Sequence, residues 1–229
     1  MDLKNKVVVI TGSSSGLGLE LAKLFKETGA KVVVNSESEE NLKKIPSGIA
    51  DLSVVADVSK EEEVKKMTSE ILLEFGRIDI WINNAGIWLP HSGVNDLDMK
   101  KVRATFDVNV FGLMHGSRAA LSLMKEQNFG VILNIISVSA LEIHLNSAAY
   151  AASKFAADGF TKGLRLEVET YEANTIKVIS VYPPGMKTNL FNEARPDNFN
   201  DYQEPNVIAE KIISNLQLEN PEIEQKFLN

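Results

Sequence analysis

Along this chain, short apolar runs of strand length alternate with longer stretches whose apolar residues recur every three or four positions. The runs at 6–11, 31–35, 52–56, 78–82, 131–136 and 175–181 are dense in valine and isoleucine, the composition of strands buried on both faces. Between them, Leu17, Leu21, Leu24 and Phe25, then Val64, Met67, Ile71 and Phe75, mark the inward stripes of amphipathic helices. One long helix is predicted over 99–127, with Val102, Phe106, Leu113, Ala120 and Met124 inward. Others are predicted over 149–170 and over 205–218, the latter with Ile208, Ile212 and Leu216 inward. Regular alternation of strand and helix predicts a single α/β domain over 1–229, a doubly wound parallel sheet with helices on both faces. The tail 219–229 offers Ile223, Gln225 and Phe227 for at most a weak seventh strand. The stretch 192–204, rich in Asn, Asp, Pro and Glu, is expected to be the most mobile.

Two interruptions of this pattern carry chemistry. After the first run comes Gly12-Ser13-Ser14-Ser15-Gly16-Leu17-Gly18, leading into a helix. A strand, a glycine turn and a helix N-terminus together present bare amides and a positive dipole end, a cradle for a pyrophosphate. The second interruption is at the fifth run. Ser137 stands where that run ends, and Tyr150 and Lys154 follow, four apart on one helix face. A phenol titrates near ~10, and a close ammonium favours its ionised form, so such a pair can exchange a proton near neutrality. A serine hydroxyl brought beside it can hydrogen-bond a carbonyl or alcohol oxygen.

Charge and composition narrow the field. A net charge of −7 without a basic cluster argues against a nucleic-acid partner. The absence of cysteine excludes disulfides and thiolate metal sites, and no metal is expected. The N-terminus runs into the first strand without a signal-like apolar region, and no apolar run reaches membrane-spanning length, so a cytoplasmic protein without a membrane partner is expected.

Several polar residues remain open on residue chemistry alone. Asn109 falls on the buried face of its helix and must find partners there. Asp57 suits a helix cap before Glu61, Glu62 and Glu63, with Ser59 the better cap. His91 is expected on the loop surface. His144 sits between Ser137 and Tyr150, where it either touches a substrate or faces solvent.

In combination, Gly-x-x-x-Gly-x-Gly at 12–18, Asn83-Asn84-Ala85-Gly86, Asn109, Ser137 and Tyr150-x-x-x-Lys154 resemble the short-chain dehydrogenase/reductase family over 6–218. The resemblance implies an oxidoreductase that moves a hydride between a nicotinamide dinucleotide and a carbonyl or secondary alcohol. It implies catalytic roles for Asn109, Ser137, Tyr150 and Lys154, Asn109 supporting a relay water. Cofactor contacts are implied at Gly12, Ser14, Ser15, Gly16, Leu17, Gly18, Ser36, Glu37, Asp57, Val58, Asn84, Ala85, Gly86, Pro183 and Thr188, besides Tyr150 and Lys154. Ser36 takes the place of the usual NAD-selecting aspartate, and Glu37 the place where NADP-dependent members often carry arginine. A 2′-phosphate would meet carboxylate and no cation there. NAD(H) is therefore preferred, and NADP(H) stays open. Trp88, Leu141, His144, Met186 and Leu190 are the expected substrate walls, under a lid at about 186–204. Relatives pair through the two long helices, which makes a homodimer the expectation and a tetramer the alternative. Pro184, where the family has glycine, and the short tail are departures. A nucleotide-binding regulator or a scaffold without turnover is the competing function on the same fold.

Overall fold

The computed structural model describes residues 1–171, 175–191 and 194–227. Seven parallel strands form one sheet in the order β3-β2-β1-β4-β5-β6-β7: β1 (Val7–Ile10), β2 (Lys31–Ser36), β3 (Leu52–Val55), β4 (Ile80–Asn83), β5 (Phe129–Ile135), β6 (Thr175–Tyr182) and β7 (Glu224–Lys226). The period of two sorts each strand between two cores. Val8 and Ile10 of β1 pack with Leu21 and Phe25 of α1 (Gly16–Glu27) and with Ile208 and Ile212 of α7 (Pro205–Gln217). Val7 and Val9 face the opposite layer, with Met67 and Ile71 of α3 (Glu61–Phe75), Met124 of α5 (Leu113–Gln127) and Leu164 of α6 (Ala148–Glu169). The short α2 (Glu39–Leu42) follows β2, capped by Ser38, whose hydroxyl accepts from the Asn41 amide at 3.3 Å. The expected doubly wound sheet is thus the observed one. Its order reverses between β1 and β4, and the crevice at such a switch point opens at the strand carboxyl ends.

Four local features depart from the sequence pattern. The fourth strand begins at Ile80, because both backbone groups of Ile78 are taken by the Gln127 side chain, at 3.1 and 2.9 Å. The helix expected over 99–127 is α4 (Met99–Phe106), a π turn at Asp107–Gly112, then α5. The wide turn carries Asn109, whose side chain is pulled onto the backbone of Ile87. The tail does form a strand, in register with Ser180, Val181 and Tyr182. Arg165 holds it there, donating to Ser180 Oγ at 2.8 Å, Ile223 O at 3.1 Å and Glu224 Oε1 at 3.2 Å.

The fourth is the packing of the segment 186–204. Met186 and Gln203 form a parallel bridge, Lys187 N donates to Gln203 O at 2.9 Å, and Lys187 pairs with Glu204 at 3.2 Å. Phe191, Phe199 and Tyr202 meet edge to face or tilted, with centroids 5.4 to 6.0 Å apart. The segment is therefore tied at both ends by packing that periodicity does not report; residues 192 and 193 of it, and 228 and 229 of the tail, lie outside the described residues. Among the described residues no helix is long and apolar enough to cross a membrane.

Candidate active site

One cavity of about 600 Å³ runs across the carboxyl ends of the strands, a volume typical of ligand sites. Because the sheet order is linear, its lining follows that order. Asn35 and Ser36 at the end of β2, Glu37 just after it, and Asp57 and Val58 after β3 form one end. Gly12, Ser14, Ser15, Gly16 and Leu17 after β1 form the middle. Ala85 and Gly86 after β4, Ser137 after β5 and Pro183 after β6 lead to the other end.

The glycine turn is built as its composition requires. Gly12 and Gly16 have φ of +60° and +55°, left-handed values that glycine adopts without penalty. A methyl group at Gly12 would stand 2.7 Å from the Ala85 α-carbon, and one at Gly16 would stand 3.2 Å from Thr188 Cγ2. The turn is tied to the loop across the switch point. Asn84 Nδ2 donates to the carbonyls of Thr11 and Gly12 at 2.9 and 3.0 Å, and Thr11 Oγ1 accepts from the amides of Asn84 and Ala85 at 3.0 Å each. Gly18, expected to touch cofactor, does not line the cavity. Its α-carbon packs against Asn84, where a methyl group would lie 2.5 Å from Nδ2.

Asn35 was not singled out by its sequence, yet it holds this end together. Its amide donates to Val54 O at 3.2 Å and Ala56 O at 3.0 Å, and its Oδ1 accepts from Gly12 N at 3.3 Å. A polar residue closing the apolar run Val32-Val33-Val34 was the available signal. Ser36 is buried beside Ser14, with 3.5 Å between hydroxyls, while Glu37 is exposed on the rim. Asp57 accepts from both the hydroxyl and the amide of Ser59, at 2.7 and 3.0 Å. Burial pushes its carboxyl up, but the two Ser59 bonds and Lys60 outweigh this and hold it below the usual range.

The reactive end is delivered by β5 and α6. Pairing continues past β5 as Ile136 N donates to Val181 O at 2.7 Å and Val138 N to Pro183 O at 3.1 Å, which places Ser137 on the cavity floor. The carbonyl of Pro183 keeps this bond despite the proline that follows it. α6 is fastened beside the strand by Asn134 Nδ2 donating to Thr161 Oγ1 at 2.9 Å and by Tyr182 donating to Asp158 at 2.7 Å. Behind these, Asn83 donates to Ser117 and Asn134 at 2.9 and 2.8 Å and accepts from Trp81 at 2.8 Å. Each such buried bond contributes ~1 kcal/mol, and losing one partner costs more.

Tyr150 and Lys154 are 8% and 7% exposed. Burial pushes the phenol above its usual range, and the nearby Ser137 hydroxyl offsets this only in part. Lys154 is pushed down to about 8 by burial, with no carboxylate opposing it. Its Nζ is 5.8 Å from the Tyr150 ring centroid. The expected lowering of the phenol by the ammonium is thus outweighed, because desolvation disfavours the charged form of both groups. Asn109 does not line the cavity. Both its amide hydrogens are used, on Ile87 O at 2.9 Å and Ser153 Oγ at 3.3 Å, while Oδ1 accepts from Ile87 N at 2.9 Å.

Trp88, His144, Met186 and Leu190 line the outer end as expected, joined by Phe191, Pro196 and Tyr202 from the lid. Leu141 does not; it is 37% exposed, outside the cavity, because the chain turns away over Val138–Ala140. His91 is exposed on its loop, as expected, and also lines the cavity mouth, its ring 5.8 Å from that of Trp88. Tyr202 lies flat on Gly185, where a methyl group would meet its ring at 2.5 Å. No signal in the local sequence marked Tyr202. Among the described residues no cluster of three or more His, Cys, Asp or Glu could hold a metal.

A parallel sheet with a glycine cradle at its switch point, and Ser137, Tyr150 and Lys154 at the next strand end, defines a nucleotide-binding Rossmann fold. Residues 6–198 match the family model described as short chain dehydrogenase, and the chain belongs to that family. It is 36% identical over 192 residues to an "Uncharacterized oxidoreductase" of Staphylococcus saprophyticus, covering 82% of this chain and 77% of that protein. A second such oxidoreductase, from Staphylococcus aureus, is 35% identical over 215 residues, with 92% and 90% covered. The crystal structure of a 3-ketoacyl-(acyl-carrier-protein) reductase from Brucella melitensis complexed with NADH superposes with a TM-score of 0.90 at 30% identity, covering 98% of this chain and 97% of that one.

Proposed function

We propose that this chain catalyses reversible hydride transfer between a nicotinamide dinucleotide, NAD(H) in preference to NADP(H), and a small carbonyl compound or secondary alcohol. The observation that carries the reading is the continuity of one cavity from the glycine cradle to Ser137 and a buried Tyr150, followed, one helical turn on, by a buried Lys154. The residues fit a dinucleotide. Bare amides at 12–17 would receive the pyrophosphate, Asp57 and Val58 the adenine, and Glu37 the ribose, whose 2′-hydroxyl a carboxylate accepts and whose 2′-phosphate it repels. A bound nicotinamide would supply or take the hydride.

The protein's part is the proton. Ser137 donates to the substrate oxygen and holds it against the phenol. Tyr150, kept neutral by burial, gives its proton to that oxygen in reduction and takes it back in oxidation. Lys154, the fixed cation at this end, stabilises the phenolate left behind and bonds the nicotinamide ribose. Gly86 lies between Lys154 Nζ and Asn109 Oδ1, which would stand 3.7 and 3.3 Å from a methyl group there. The remaining lone pair of that oxygen suits it to hold a relay water. Phe111 of the π turn and Phe155 and Leu166 of α6 are exposed, which supports pairing of two copies through these helices.

Tyr150→Phe tests the mechanism. Turnover of NADH with a ketone panel should be lost while NADH still binds, read by nicotinamide fluorescence. Turnover at the native rate in this variant refutes the role of Tyr150.

A further inference from the structure

The outer end of the cavity holds a feature that hydride transfer does not use. His91, on the loop after β4, and His144, on the loop after β5, line the same wall. The two loops are stitched together where Ser92 N donates to Asn146 O at 2.9 Å. His91 is braced by Trp88, which in turn packs edge-on to Phe191 of the lid at 5.1 Å. We propose that His91 and His144, both exposed at the rim of the cavity beside Trp88, form a recognition site for the carboxylate of the carbonyl substrate. This deepens the reading above and rests on it.

The charges around the pair favour an anion. The acids on the cavity lining, Glu37 and Asp57, are at its far end, after β2 and β3. On the histidine loops themselves, Asp96, Asp98 and Glu142 are the acids, and none lines the cavity. From 186–204, Arg195 stacks on Phe199 at 5.0 Å, Lys187 is paired with Glu204, and the further acids Asp197 and Asp201 do not line the cavity; from α6, Tyr150 is neutral. His91 is held below its ordinary range by burial and then by the charge of His144, with no acid compensating. A carboxylate entering here would relieve both effects. Two imidazoles, each with one N–H when neutral, match its two oxygens, and protonation strengthens both bonds. A phosphate dianion would call for fixed cations, and the one on the lining, Lys154, is at Gly86. Because binding raises the imidazole pKa, affinity should fall as pH rises through the imidazole range.

The chain has three histidines, which makes the test direct. Benzoylformate and acetoacetate, each beside its methyl ester, are titrated into the protein while the imidazole Cε1–H resonances are followed by NMR. The acids should move His91 and His144 and raise their apparent pKa values. The esters should not, nor should His115, whose Nδ1 is held by Val58 O at 3.0 Å. In turnover, the double variant His91→Gln/His144→Gln should lower the preference for acid over ester in kcat/KM by about 10- to 100-fold. It should also flatten the pH dependence of KM for the acid. Unmoved His91 and His144 resonances with both acids, or an unchanged acid-to-ester preference, overturn the site. A neutral ketone reduced by a protein whose histidines ignore both acids leaves the hydride-transfer reading standing and this one refuted. Shifted resonances without turnover of any carbonyl do the reverse.

Discussion

Lys154 should destabilise the protein that depends on it. Its ammonium is buried, and its pKa falls from 10.5 to about 8 with burial the one cause. At ~1.4 kcal/mol for each tenfold change, that fall is worth ~3 kcal/mol against the folded state at neutral pH, where the lysine is charged whether the chain is folded or not. The sign follows from proton counting. Between pH 8 and 10.5 the unfolded chain binds the proton and the folded chain does not, so stability from this group rises with pH across that window. By the same relation the penalty shrinks to ~1.4 kcal/mol at pH 9.5. Lys154→Met keeps the length of the stem and removes the charge. The variant should be inactive yet ~3 kcal/mol more stable than the native chain at pH 7, or roughly 6–12 °C in Tm for a chain of this size. At pH 9.5 the gap should narrow to about half. Denaturant unfolding at the two pH values is the assay, kept below pH 10 because Tyr150, raised by burial, lowers stability as the unfolded phenol ionises. A variant no more stable than the native chain at pH 7, or a gap indifferent to pH, refutes the argument that burial alone sets this lysine.

Two further outcomes follow from the geometry. Glu37→Arg puts a cation where a 2′-phosphate would sit, and should raise the NADPH-to-NADH affinity ratio by about tenfold or more in parallel fluorescence titrations; an unmoved ratio removes Glu37 from the ribose site. Gly185→Val drives a side chain into the Tyr202 ring, so the lid should shift, KM should rise and stability should fall by ~1–3 kcal/mol, whereas a native Tm would show that the Tyr202 packing carries no energy.

How much of this was legible beforehand depends on the range of the signal. The strand runs and helix stripes were read to within a residue or two, because burial on a face writes its period directly into the chain. The glycine turn, Ser137 at a strand end and the four-residue step from Tyr150 to Lys154 were legible for the same reason: each is local geometry. The parallel order and the side of each helix followed from alternation and handedness.

What the sequence could not determine is what each buried face is buried against. Asn35 reaching Gly12, Asn109 turning to Ile87, Tyr202 lying on Gly185, Arg165 pinning the tail as a strand and the loops of His91 and His144 joining at one cavity all bring together positions far apart in the chain. The direction in which burial moves Tyr150 and Lys154 is of this kind too. The sequence shows a phenol and an ammonium one turn apart, which argues for attraction and a lowered phenol. The fold withdraws both from water, and desolvation then exceeds what the pair gains from each other. Sequence pattern reports local period and composition; desolvation and long-range partners exist only once the layers have packed.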